Sequence, residues 1–498
     1  MTRPADRRSF LTTSAVTLGA WSAFEGLPRV RAEDAKVDPK LVRLDSGIEP
    51  LVTLLEETPR DRLLEEVGGR VKKGLAYRDV LAALLLAGVR NIQPRPAVGF
   101  KFHAVLAINA AHQASLAGPD RDRWLPIFWA LDNFKGGQAQ NKKETGWRMK
   151  PVDEANVPSA RNALKLFAEA MEQWDEAKSD VAAAGVARHC TEGQAFDAFA
   201  KYGCRDYRDI GHKIIFVANA FRTLQTIGWH QAEPVLRSLA LALLKREGNA
   251  KPTGDLPADR VGIRSEELAK TLGENWNEGA AKPDAVTDLL ALLRTGSDAD
   301  VGSAFAKRLN GTVSPRTLWD AVFLGAGELL MKQPGIVGLH TLTTANALRY
   351  AFGATGDDAV RRLVLLQAAS FLPLFRGAMG AKTANVKIDT IEADDGATDA
   401  EAIFGSLSKD KGKAARQALK LLGERPDAAS ELMDAGRRLI FLKGTDSHDY
   451  KFSSAVLEDC GHVSAPWRNR FLAASLFWMK GSGGPDSGLV RRTREALA

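Results

Sequence analysis

Four histidines stand at spacings that invite a chemical reading. His103 and His212 are 109 residues apart, and His340 and His448 are 108 apart. Each lies in a segment with a counterpart in the other half of the chain. "AVGFKFHAVLAINAA" at 97–111 faces "IVGLHTLTTANAL" at 336–348, and "GCRDYRDIGHKIIF" at 203–216 faces "GTDSHDYKF" at 444–452. Neutral imidazole is a common ligand for divalent transition metals. Two halves related by a pseudo-twofold axis would carry four imidazoles toward one point, as helical bundles do when they build metal sites from facing helices. Lys451 follows His448 by three residues, which on a helix puts the two side chains on one face about 60° apart. Its first-half counterpart is Ile215, so the lysine breaks the symmetry. An ammonium would repel a cation; Lys451 either snorkels to solvent or has its charge removed or reversed.

The same geometry sorts the other histidines. His112 lies nine residues after His103, a rotation of about 900° that puts it on the opposite face of one helix, at the periphery. His189 precedes Cys190 in an expected loop, and His230 and His462 stand beside Gly228 and Gly461, where turns are expected and a capping or supporting role suits them. Asp209 and Asp446 precede their histidines by three and two residues. Each is placed to orient an imidazole or to cap a helix. Phe100, Phe102, Phe216, Tyr202 and Tyr207 would line an aromatic pocket or pack in the core.

The elements that must position these residues read as helices. "YRDVLAALLLAGVRN", "SARNALKLFAEAMEQW", "PVLRSLALALLK", "TLWDAVFLGAGELLM", "AVRRLVLLQAASFLPLF" and "NRFLAASLFWM" repeat apolar residues at three and four, with Ala and Leu abundant. Convincing strand alternation is missing, and "NVKIDTIEADDGATDAE" suits a loop. The expected fold class is all-α, a duplicated helical bundle with pseudo-twofold symmetry and a central metal site. Polar connectors are expected near 133–155, 247–265 and 382–413. Three further matches keep the same order in both halves: "WLPIF" at 124 with "FLPLF" at 371, "ARNALKLF" at 160 with "ARQALKLL" at 415, and "GWHQAEPVLRSLALALL" at 228 with "GHVSAPWRNRFLAASLF" at 461. Five matches in order imply one domain, 33–498, made of two repeats, about 60–247 and 301–480.

Composition limits the partners. The chain has 498 residues, 45% of them hydrophobic and 26% charged, and a formal net charge of +7. Residues 1–32 hold five Arg and two acids, which leaves 63 basic against 59 acidic residues elsewhere. That excess is small and scattered, so nucleic acid is not an expected partner. No run is apolar for the roughly 20 residues that a membrane helix needs, so stable membrane insertion is not expected either. Cys190, Cys204 and Cys460 cannot all pair and fit no zinc or redox spacing; a Cys190–Cys204 disulfide or, more simply, buried thiols would account for them.

Residues 1–32 read as a targeting segment. "DRRSFLTTSAVTLGAWSAF" places Arg7 and Arg8 before Phe10 and Leu11, then a mildly apolar stretch, with small or short side chains at Val30 and Ala32 for cleavage. It resembles a twin-arginine signal peptide, which implies a bacterial protein exported already folded to the periplasm by the twin-arginine machinery. With Arg7 and Arg8 both replaced by Lys, the folded protein is expected to stay in the cytoplasm. Cell fractionation that finds the variant in the periplasm as an unfolded passenger would remove this reading.

A family resemblance enters at the histidine blocks. "FHAVLAINAA", "GHKIIFVANAF", "GLHTLTTANALR" and "DSHDYK" resemble the histidine-bearing helices of the questin oxidase-like family, whose members include anthraquinone-ring-opening oxygenases; the likeness spans about residues 60 to 480 and is diffuse outside these blocks. It implies an α-helical fold that holds non-haem iron through four histidines and a carboxylated lysine. Carried over by position, the ligands fall on His103, His212, His340, His448 and Lys451. The family's "GH" helix commonly bears a second histidine four residues on, where this chain has Phe216, and Phe100 stands near the place of an upstream histidine on the first helix. The implied cofactor is Fe(II), another divalent transition metal being compatible with imidazoles. The implied activity is oxygenation of an aromatic or polyketide-like small molecule by O2. The competing expectation is a helical-repeat binding or scaffold protein whose histidines pack in its core.

Overall fold

The computed structural model describes residues 47–94, 101–244, 256–396 and 399–498. The signal segment, Phe100 and part of the 247–265 connector lie outside these residues. The fold is all-α: among the described residues every regular element is helical, apart from one isolated bridge between Ala280 and Val313.

The helical periods become helices at close to the expected places. "YRDVLAALLLAGVRN" is the helix Tyr77–Asn91, buried on every side from Val80 onward, as a helix apolar all round must be. The other runs fall in Ala163–Gln173, Ala232–Leu243, Pro315–Lys332, Asp358–Ala378 and Ala465–Ser475. The expected connectors are shorter than their polarity suggested. Residues 133–144 continue the helix Leu125–Glu144, whose exposed end carries the polar residues. Pro257–Lys270 and Ala400–Leu407 are helices that shorten the second and third connectors. Charged residues on one face of a half-buried helix look like a linker when the buried face is short of large apolar side chains. The 381–396 segment is a loop with a single turn of 3-10 helix at Ile388–Thr390. No helix among the described residues is long and apolar enough to cross a membrane. Cys190, Cys204 and Cys460 are all free thiols, the last two buried.

At the centre four helices form a ring. Ile108–Ala117, reached from the single turn His103–Leu106 through Ala107, packs against both His212–Ile227 and Ser447–Asp459. Ile336–Ala354 closes the ring by packing against the same two helices from the other side. All four candidate histidines are carried by this ring or by the turn that leads into it.

Candidate metal centre

The four histidines form one contiguous cluster, in which His212 touches His103 and His340. His212 Nε2 lies 3.3 Å from His103 Nε2 and 2.9 Å from His340 Nε2. The His448 ring is 4.5 Å from that of His103 and 5.4 Å from that of His340, centroid to centroid. Single nitrogens of His103, His340 and His448 all fall within 4.8 Å of one another. His103, His212 and His340 are buried, and the His448 side chain is 20% exposed.

Three of the imidazoles are held from behind. His212 Nδ1 donates to the carbonyl of Asp209 at 2.8 Å, and His340 Nδ1 donates to the carbonyl of Ile336 at 2.7 Å. His448 Nδ1 sits 3.4 Å from Asp446 Oδ1, and this contact is the largest of the influences that bring the Asp446 carboxyl down to about 2. A carbonyl oxygen can only accept, so the proton of His212 and of His340 is fixed on Nδ1. In the neutral rings their Nε2 atoms then face each other as two lone pairs 2.9 Å apart. That approach is repulsive unless a metal ion or a proton lies between them. Ligand nitrogens about 2.1 Å from a common ion, at angles of 90° to 110°, stand about 3.0 to 3.4 Å apart; the 3.3 Å separation falls in this range and the 2.9 Å one just below it. A second hydrogen bond from the far ring nitrogen to a carbonyl or carboxylate is also what metal-binding histidines use to set their tautomer. The donor set and its spacing thus fit a transition metal ion.

The His212 carbonyl anchor depends on an unusual backbone. Asp209, Ile210 and Gly211 have φ of 68°, 46° and 83°, three successive left-handed residues of which one is β-branched. Such conformations cost of order 1–3 kcal/mol each outside glycine and persist only where the surroundings impose them. Here the loop is stapled on both sides. Arg208 makes two hydrogen bonds to Asp259, Lys213 Nζ lies 2.7 Å from Asp206 Oδ2, and Gln367 donates to the Cys204 carbonyl. Gly211 is required at its position: a Cβ there would stand 2.1 Å from Thr344 Oγ1. Gly211→Ala is expected to lower stability by about 1–3 kcal/mol or more through strain and clash. Thermal unfolding checks this, and an unchanged midpoint together with unchanged metal content would show that the turn does not position His212.

Lys451 is 3% exposed, and its Nζ has no hydrogen-bond partner. Burial brings the amine down to about 7, against the opposing pull of the Asp209 and Asp446 carboxylates. His103 and His340 are held well below the ordinary imidazole range, first by burial and then by the charge at Lys451. The lysine therefore points inward rather than snorkelling.

The remaining candidates separate as helix geometry requires. His112 is hydrogen-bonded to Tyr77 Oη at 3.0 Å and to Thr226 Oγ1 at 3.1 Å, away from the cluster. His189, His230 and His462 are exposed, His189 as the last residue of the helix Glu176–His189 rather than in a loop. Asp446 caps the His448 helix through the His448 N–H as well as facing its ring. Asp209 acts chiefly through its main-chain oxygen, its carboxylate lying 3.8 Å from His212 Nδ1. Phe102 and Phe216 pack edge to face on each other, and Tyr207 packs between Phe371 and Phe375. Tyr202 donates to Glu172 and the Ala168 carbonyl, at a different place in the fold.

Sequence reasoning missed a polar girdle next to the cluster. Arg222 binds both oxygens of Glu458 at 2.8 and 2.9 Å and donates to Asn346 Oδ1, while Asn346 donates to Glu458 and Asp459. Asn109 donates to Asn219. The signal lay in the spacing: Asn109 and Asn346 each stand six residues after a cluster histidine, and Arg222 and Glu458 each stand ten after one.

Comparisons with family models, with curated proteins and with solved structures return no match to this chain.

Proposed function

We propose that this protein is a metal-dependent enzyme whose centre is held by His103, His212, His340 and His448, with Lys451 as a fifth ligand in carboxylated form. The observation that carries the reading is the pair of lone-pair-bearing Nε2 atoms of His212 and His340, fixed face to face at 2.9 Å by carbonyl acceptors behind each ring. Four neutral imidazoles alone suit Fe(II), Cu, Ni or Zn; one hard oxygen donor shifts the balance toward Fe(II). When bound, Fe(II) would supply the capacity to activate O2 for oxidation of an electron-rich small molecule.

The chain's own contribution is positional. The Asp209 and Ile336 carbonyls and the Asp446 carboxylate fix ring tautomers and directions. The apolar helices around the ring keep water out, which strengthens every electrostatic contact inside. On this reading the substrate is aromatic or polyketide-like, as the family resemblance implies, and the enzyme works in the periplasm after twin-arginine export. The two repeats implied by the ordered matches are the means by which one pair of histidine helices became two. Metal analysis of the purified full-length protein tests the proposal. Stoichiometric iron, or another divalent transition metal, supports it, and a chain that neither carries nor takes up any such metal leaves the scaffold reading in its place.

A further inference from the structure

Two neighbouring cavities share wall residues near Lys451. The outer one is a groove of about 390 Å³ between the helices Ile108–Ala117, Ala428–Lys443 and Ser447–Asp459. Its walls are mainly apolar, with Leu116, Ile440, Phe441 and Leu457 among them. The inner one measures about 20 Å³ and is lined by Lys451 together with Asn109, Asn219, Arg222 and Asn346. Gln113 and Ser454 belong to the walls of both, so the small cavity lies directly behind the groove. A space of 20 Å³ is enough for about one water-sized molecule and no more. Lys451, one of the residues lining this cavity, keeps its amine buried with no hydrogen-bond partner. The neck is held open by fixed polar partners: Ser454 Oγ donates to the Ala110 carbonyl at 2.9 Å, and Arg222 is clamped by Glu458.

We propose that groove and cavity form one access route, which admits small uncharged molecules of two or three heavy atoms, dioxygen and carbon dioxide among them, to the Lys451 side of the histidine cluster and holds back larger ones. The apolar groove gathers such molecules from water, and the single-molecule neck selects by size. The route deepens the metal-centre reading and rests on it only for its purpose, since the passage is a property of the apoprotein's side chains. A larger substrate would have to meet the cluster from another side.

The Lys451 amine, buried just beyond the small cavity, allows a test that needs no metal. Isocyanic acid, the reactive form of cyanate, has three heavy atoms. The lysine nitrogen bonds to its carbon, the carbon–nitrogen π bond opens, and the amine proton passes to the isocyanate nitrogen, so a urea forms and nothing leaves. The full-length protein, dialysed against a chelator in buffer free of carbon dioxide, is treated with cyanate or with the bulky amine reagent trinitrobenzenesulfonate, and modification is read peptide by peptide by mass spectrometry. Cyanate is expected to modify Lys451, while the bulky reagent modifies exposed Lys409 and spares Lys451. Ser454→Leu fills the neck and leaves local opening as the only way in, so the Lys451 rate should fall about tenfold or more with Lys409 unchanged. Gln113→Trp, at the half-exposed mouth, provides a second block should the first variant fold poorly. Equal rates in wild type and both variants, modification of Lys451 by both reagents alike, or no reaction with cyanate would each overturn the route. Absence of metal from the protein would not, so the two proposals fail separately.

Discussion

Replacing any one of His103, His212, His340 or His448 with Ala is expected to strip bound metal or weaken its binding by ~10 to 100-fold or more, because the remaining imidazoles cannot close the coordination shell. His112→Ala is the control. It removes hydrogen bonds to Tyr77 and Thr226 and touches none of the cluster, so the metal should stay. Elemental analysis of the five purified variants, with titration of metal into the stripped proteins, reads the outcome. If all five keep the wild-type content, the cluster is not the site. Acid should act in the same direction. Burial holds His103 and His340 below 6.5 in the folded chain, so the unfolded chain binds protons that the folded one does not. Stability is then lost as pH falls through about 6.5 and below, and metal, which needs the neutral rings, should leave over the same range.

Much of this centre was legible in the sequence because two independent regularities coincide on the same residues. The helical period placed His448 and Lys451 on one face and His112 away from His103, and both placements hold although His103 sits in a one-turn helix rather than in a continuous one. The ordered matches selected four histidines of eight; nitrogens of three of them, His103, His340 and His448, converge, and His212 adjoins His103 and His340. What stayed hidden depends on backbone and distant partners. Nothing in "RDIGH" announces three left-handed residues in succession, since their strain is sustained by Asp259 and Gln367 from elsewhere in the chain. The connectors were overestimated for a similar reason: whether a polar run is linker or the outer face of a helix depends on which neighbours cover its other side. The girdle of Asn109, Asn219, Arg222 and Asn346 looked like ordinary polar residues within helices, and only the ring of helices gives them a common cavity.

Lys451→Ala is expected to cost the protein its metal or its activity, and Lys451→Glu to restore metal binding in part. The reason begins with stability. A lysine that is 3% exposed and makes no hydrogen bond is a net cost to the fold as an ammonium, since burial outweighs the pull of Asp209 and Asp446. Its amine is lowered to about 7 from 10.5, so between those values the unfolded chain carries a proton that the folded chain lacks. In the metal-free protein this makes stability rise with pH from about 7 toward 10.5, and Lys451→Met, which buries a similar length of apolar chain, should remove that slope and stabilise the fold. A side chain that weakens the fold where it stands calls for a role at the site. The neutral amine can add carbon dioxide to become a carbamate, losing a proton. This change reverses the sign of the group and provides an oxygen donor that Ile215, its counterpart across the ring, has no means to supply. Bicarbonate should therefore help the stripped wild type, but not Lys451→Glu, to take up metal. A metal-loaded, active protein whose experimental electron density shows Lys451 uncarboxylated and directed to solvent would end the idea, and would leave four histidines to hold the ion unaided.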